Sequence, residues 1–146
     1  MPEVHSTILI RAPADRVYEL AKDIEGLAAY IADVESIHVV ERAEGRTVTE
    51  WVGVIREFRR KVKWTEEDHW DDQARVCTFE QIKGDFTVYR GTWAFRETPE
   101  GTQVVLDLTY ELEIPLIGPL IKRLLHRIVQ NSCESIQQGL KERAEQ

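Results

Sequence analysis

Cysteine is nearly absent from this chain. Cys77 and Cys133 are its only two, at a spacing that builds neither a disulfide framework nor a metal motif, so a reduced, cytoplasmic protein is expected. Histidine is also sparse. His5, His38, His69 and His126 show no paired ligand spacing, so no metal site is expected and nothing calls for a cofactor. No glycine-rich loop leads from a strand into a helix, and the lone glycine of Gly118-Pro119 is no phosphate cradle. Positive charge is in deficit: 19 Lys and Arg against 26 Asp and Glu leave a net charge of -7. That balance argues against a nucleic-acid binder, which needs a basic face, and weakens the case for docking on anionic lipid. No apolar run reaches the length of a membrane span. Met1-Pro2-Glu3-Val4-His5 lacks the basic start and apolar middle of a signal peptide. No repeat, low-complexity tract or linker divides the chain.

What is present fits one folded unit. With 42% hydrophobic and 31% charged residues over 146 positions, the chain has the composition of a globular protein and the length to build a core. Residues 1–146 are read as a single domain.

The dominant pattern is Pro115–Arg143. At about 3.6 residues per turn, Ile117, Ile121, Leu124, Leu125, Ile128, Ser132, Ile136 and Gly139 share one side, and Lys122, Arg123, His126, Arg127, Gln130, Glu134 and Lys141 fall mostly on the other. Pro119 suits a first turn, and Lys141 and Arg143 suit the negative end of a helix dipole. The spacing predicts one long amphipathic helix, with His126 facing solvent. Its inner stripe turns small at Ser132, Ser135 and Gly139. Two readings are open: close approach to the surface beneath, or space left under the helix.

The rest of the chain reads mostly as strand. Val4–Arg11 is a first strand, ended by Ala12-Pro13, and two short helices follow, with Val17, Leu20, Ala21 and Ile24 at helical spacing. From Ser36 the period changes to two. Strands are expected around Ile37–Val40, over Thr47–Phe58, Lys61–Trp70 (Val62, Trp64 and Trp70 in step), Arg75–Ile82, Phe86–Glu97 and Thr102–Ile114, with short turns between. The last alternates most cleanly, with Val104, Leu106, Leu108, Tyr110, Leu112 and Ile114 on one face. The result is an α+β fold: a curved antiparallel sheet of about seven strands, with the long helix across its concave face.

This order carries a resemblance. Ile8-Leu9-Ile10-Arg11-Ala12-Pro13-Ala14-Asp15-Arg16-Val17-Tyr18, then Asp23-Ile24-Glu25 with Tyr30-Ile31-Ala32-Asp33-Val34, then Gly91-Thr92-Trp93-Ala94-Phe95 with Gly101-Thr102-Gln103-Val104 are similar, in order and spacing, to the START-like (helix-grip, SRPBCC) superfamily. Within it they resemble the polyketide cyclase/dehydrase and coenzyme Q-binding branch. The resemblance implies a cavity between sheet and long helix that takes a hydrophobic or amphipathic small molecule such as a lipid, quinone or polyketide. It does not choose between carriers and enzymes.

In that fold the inner face of the sheet is also the cavity wall. Phe79, Tyr89, Trp93, Phe95 and Tyr110 are the expected wall from the sheet, and Leu124, Ile128 and Ser132 from the helix. Glu50, Arg56 and Arg90 are possible polar anchors if they point inward; outward, they are ordinary solvated charges. The sequence offers no compact acid–base constellation, which favours binding or carriage over a cyclase or dehydratase. A groove for a protein segment is a third reading. Glu113–Leu120, with two prolines and Gly118, is expected near the cavity mouth, with Leu116 or Leu120 incompletely buried.

Overall fold

The structure is a computed structural model that describes residues 1–113 and 118–146. Strand β1 (Glu3–Ile10) is followed by helices α1 (Ala14–Lys22) and α2 (Ile24–Leu27). Six strands then run in succession: β2 (Val34–Ala43), β3 (Arg46–Ile55), β4 (Arg60–Asp71), β5 (Val76–Gly84), β6 (Val88–Thr98) and β7 (Gly101–Glu111). Helix α3 (Pro119–Ala144) ends the fold. All strand pairs are antiparallel, in the order β1-β7-β6-β5-β4-β3-β2. Six strands form a meander because each connection is short, and β1 closes the far edge by pairing with β7. Among the described residues no helix is long and apolar enough to cross a membrane.

Local chemistry explains the boundaries. Pro13 sits in an extended conformation ahead of α1 and ends the β1 ladder. The expected Thr47–Phe58 strand stops at Ile55. Arg56–Phe58 instead form a 3-10 turn, and Arg59 takes a left-handed φ of 49° to swing the chain into β4. Pro119 stands at the start of α3, where its missing N–H has no helical partner, and Lys141 and Arg143 occupy the last turn. The long helix was expected from Pro115. It is described from Pro119, and residues 114–117, Leu116 among them, lie outside the described set. Leu120 is 76% exposed.

The inner stripe of α3 consists of Leu125, Ile128, Cys133, Gln137, Gly139, Leu140 and Ala144, all buried. Leu140 and Gln137, which sequence periodicity left out, are its most enclosed side chains. Gln137 is a buried amide used as a staple. It donates to the backbone oxygens of Ser6 (3.0 Å) and Val104 (3.2 Å) and accepts from the Ser6 hydroxyl, tying α3 to β1 and β7. The small residues divide between the two readings. A Cβ on Gly139 would lie 2.8 Å from the Tyr30 carbonyl oxygen, so this glycine permits close packing on the turn after α2. Ser132 instead borders a cleft. His126 does not face solvent freely. It stacks on Tyr110 at 5.9 Å, and its Nδ1 lies 3.1 Å from the Tyr110 hydroxyl.

Candidate functional site

Among the described residues, two spaces lie between the sheet and the helices. The larger, about 80 Å³, is lined mainly by Gly53, Val62, Trp64, Phe86, Tyr89, Ile128, Ser132 and Cys133. The smaller, about 30 Å³, is closed by Ala21, Ile24 and Leu27 on one side and Leu140 on another. The sheet contributes Trp51, Glu66, Asp68, Trp70, Cys77, Trp93 and Phe95 to it. Trp51, in the wall of the smaller space, stacks on Trp64, in the wall of the larger, with ring centres 5.5 Å apart and planes 11° from parallel. This pair partitions the interior. Both spaces are small, so a ring-sized ligand requires the indole partition or the helix to shift.

Register explains which side chains point inward. On β3, Thr47, Thr49, Trp51 and Ile55 are buried, and Trp51 lies opposite Trp64 of β4. Since side chains alternate along a strand, Glu50 falls on the other face, where it is exposed. Arg56, in the 3-10 turn, is exposed and lies 3.6 Å from Asp33. Arg90 is exposed on β6, opposite Glu80 of β5. None of the three reaches the interior, which corrects the expectation that they could anchor a ligand there.

Of the expected wall residues, Tyr89, Ile128 and Ser132 come together at the larger cleft, and Trp93 and Phe95 at the smaller cavity. Phe79 is buried behind Tyr89, with ring centres 5.7 Å apart. Tyr110 is buried against His126, and Leu124 is half-buried beside that cluster. These three line neither space.

The polar centre of the interior is a pair of carboxyls on β4. Glu66 and Asp68 are each only 5% exposed. Trp64 donates its indole N–H to Glu66 Oε1 (2.9 Å), and the Thr47 and Thr49 hydroxyls both donate to Asp68 Oδ2 (3.0 Å each). Those hydroxyls in turn accept indole N–H groups, Thr49 from Trp51 (2.9 Å) and Thr47 from Trp70 (3.1 Å). Three of the four tryptophans thus serve one network. Among the described residues neither carboxyl has a salt-bridge partner. Burial, then the negative charge of Asp68 and a hydrogen bond with it, hold the Glu66 pKa well above the ordinary carboxylate range. Glu66 is therefore a protonated acid beside an acceptor. The signal lay in the sequence: Glu66 and Asp68 continue the alternation of Val62, Trp64 and Trp70.

Burial also raises the thiol pKa values of Cys77 and of Cys133, the latter to about 12, which leaves both poor nucleophiles at neutral pH. Among the described residues no His, Cys, Asp and Glu cluster is arranged to hold a metal ion.

The sequence profile of the polyketide cyclase / dehydrase and lipid transport family matches residues 10–136. The chain belongs to that family. Its fold is the helix-grip fold of the START-like superfamily. A Thermus thermophilus protein of known structure is 48% identical, with a TM-score of 0.93 over 98% of this chain and 97% of that one. The Zhui aromatase/cyclase of a Streptomyces species shares the fold at 20% identity, with a TM-score of 0.88 over 99% of this chain and 93% of that one. A Streptomyces cyaneus protein named as a candidate polyketide cyclase is 29% identical over 99 residues, 66% of this chain. The match spans 64% of that relative, less than two thirds of its length.

Proposed function

We propose that residues 1–146 act as a single START-like domain that binds and carries a hydrophobic or amphipathic small molecule, of lipid, quinone or polyketide type, between the sheet and α3. The observation that carries this reading is the apolar cleft bordered by Trp64, Phe86, Tyr89 and Ile128. Aromatic and aliphatic walls with a few placed polar groups suit such a ligand. Mass spectrometry of freshly purified protein under native conditions tests it. The expected result is an apolar small molecule that leaves on denaturation. Its absence, together with failure to take up any apolar probe, would defeat the reading.

A second reading, a cyclase or dehydratase using the same cavity, is favoured by one observation. Glu66 and Asp68 place a protonated carboxyl next to an acceptor carboxyl in apolar surroundings. Cyclisation and dehydration both need a proton given at one oxygen and taken at a neighbouring carbon. Turnover of a poly-ketone test substrate that Glu66→Gln abolishes would support the enzyme; turnover unchanged in that variant would remove it.

A further inference from the structure

The carboxyl pair also bears on what the cavity recognises. Glu66 and Asp68 share the inner face of β4 and border the smaller cavity. A carboxylate oxygen can accept two hydrogen bonds. Among the described residues, protein donors reach only Glu66 Oε1 and Asp68 Oδ2. No backbone or side-chain N–H or hydroxyl among the described residues donates to Glu66 Oε2 or Asp68 Oδ1. The residues that close the cavity from the helices, Ala21, Ile24, Leu27 and Leu140, carry no charge. The titratable groups facing the pair from neighbouring strands are Cys77 on β5 and Tyr89 on β6, both with raised pKa values and so neutral near pH 7.

A buried carboxylate with no cation is costly, and apolar residues of similar volume are often as stable or more so. Here the carboxyls are instead held in place by the threonine and indole bonds, and both residues line the cavity. Trp51, Trp70, Trp93 and Phe95 line the same cavity, and aromatic rings attract cations. A volume of about 30 Å³ is on the scale of one or two water-sized groups. That suits a compact ammonium with three donors better than a planar guanidinium. The protein's net charge of -7 adds a long-range bias toward cations.

We propose that the smaller cavity is an ammonium site: the ligand carries a protonated primary amine that docks on Glu66 and Asp68, while its apolar body passes the Trp51–Trp64 partition into the larger cleft. This rests on the small-molecule reading above and specifies the polar end of that ligand.

Two isosteric probes test it. Dissociation constants for 2-phenylethylamine and 2-phenylethanol are measured at pH 7 by tryptophan fluorescence, for the wild-type protein and Asp68→Asn. The expected result is an amine bound at least tenfold more tightly than the alcohol. Asp68→Asn, which removes the charge, should lose that preference while alcohol binding changes less than about twofold. Equal binding of the two probes by the wild-type protein would leave the small-molecule reading standing and overturn the ammonium site. A preference unchanged in Asp68→Asn would also overturn it. Binding of neither probe would overturn both.

Discussion

Replacing Glu66 with Gln should make the protein more stable, and by an amount that grows with pH. The introduced amide keeps an acceptor for the Trp64 indole and offers an N–H to Asp68, as the protonated acid does. The difference between the two proteins is therefore the proton. The ordinary carboxyl value is 4.5, and the native value lies well above it because of burial and Asp68. Below the ordinary value both folded and unfolded chains hold the proton, and this contribution to stability is complete. Above it the unfolded chain releases a proton that the native protein retains. The contribution is then lost as pH rises toward the native value. The slope in that window is about 1.4 kcal/mol per pH unit. For a chain of this length that corresponds to roughly 3–6 °C in Tm per unit. Cys77 and Tyr89, the other titratable neighbours, stay neutral across the window because their values are raised. Urea or thermal unfolding at half-unit steps from pH 4 to 8 gives the readout. The two proteins should coincide near pH 4 and diverge above it, with Glu66→Gln the more stable. A difference that does not vary with pH would refute the reasoning, because it would mean Glu66 ionises as an exposed carboxyl does.

Other consequences concern the seating of α3. Gly139→Ala should destabilise by about 1–3 kcal/mol despite alanine's better helix propensity, since its Cβ would press on the Tyr30 carbonyl; an unchanged denaturation midpoint would show that the helix is not held close there. Leu140→Ala should cost roughly 2–5 kcal/mol, because Leu140 is fully enclosed. Leu124→Ala, at a half-buried site, should cost clearly less. Chemical denaturation of the pair checks the order, and a reversed order would contradict the burial pattern of α3.

How much of this was legible in the sequence depended on whether a pattern was local. The alternation of β7 and the apolar stripe of α3 are local, and they located the sheet and the helix. The number of strands and the two short helices followed from turn residues between changes of period. Orientation was harder. Glu50 shares a period with Val48, Val52 and Val54, which left an inward carboxyl open. Only the pairing of Trp51 with Trp64 puts Glu50 on the outer face. Gln137 belongs to neither side of the helical pattern, because the two carbonyls that bury its amide lie far away in sequence, on β1 and β7. Glu66 and Asp68 were readable in principle, since they stand in step with Trp64 and Trp70. Their partners Thr47 and Thr49 come from another strand, so the network itself exists only in three dimensions.

The most direct test of a ligand cavity between sheet and helix is titration with Nile red, a neutral dye that brightens in apolar surroundings, of the wild-type protein and Ile128→Trp. Ile128 lines the larger cleft, and a tryptophan there should fill it. The wild-type protein is expected to bind with a dissociation constant in about the micromolar range, near 8 kcal/mol, and Ile128→Trp to bind at least tenfold more weakly while remaining folded. Dye bound equally by both, or by neither, would contradict the account.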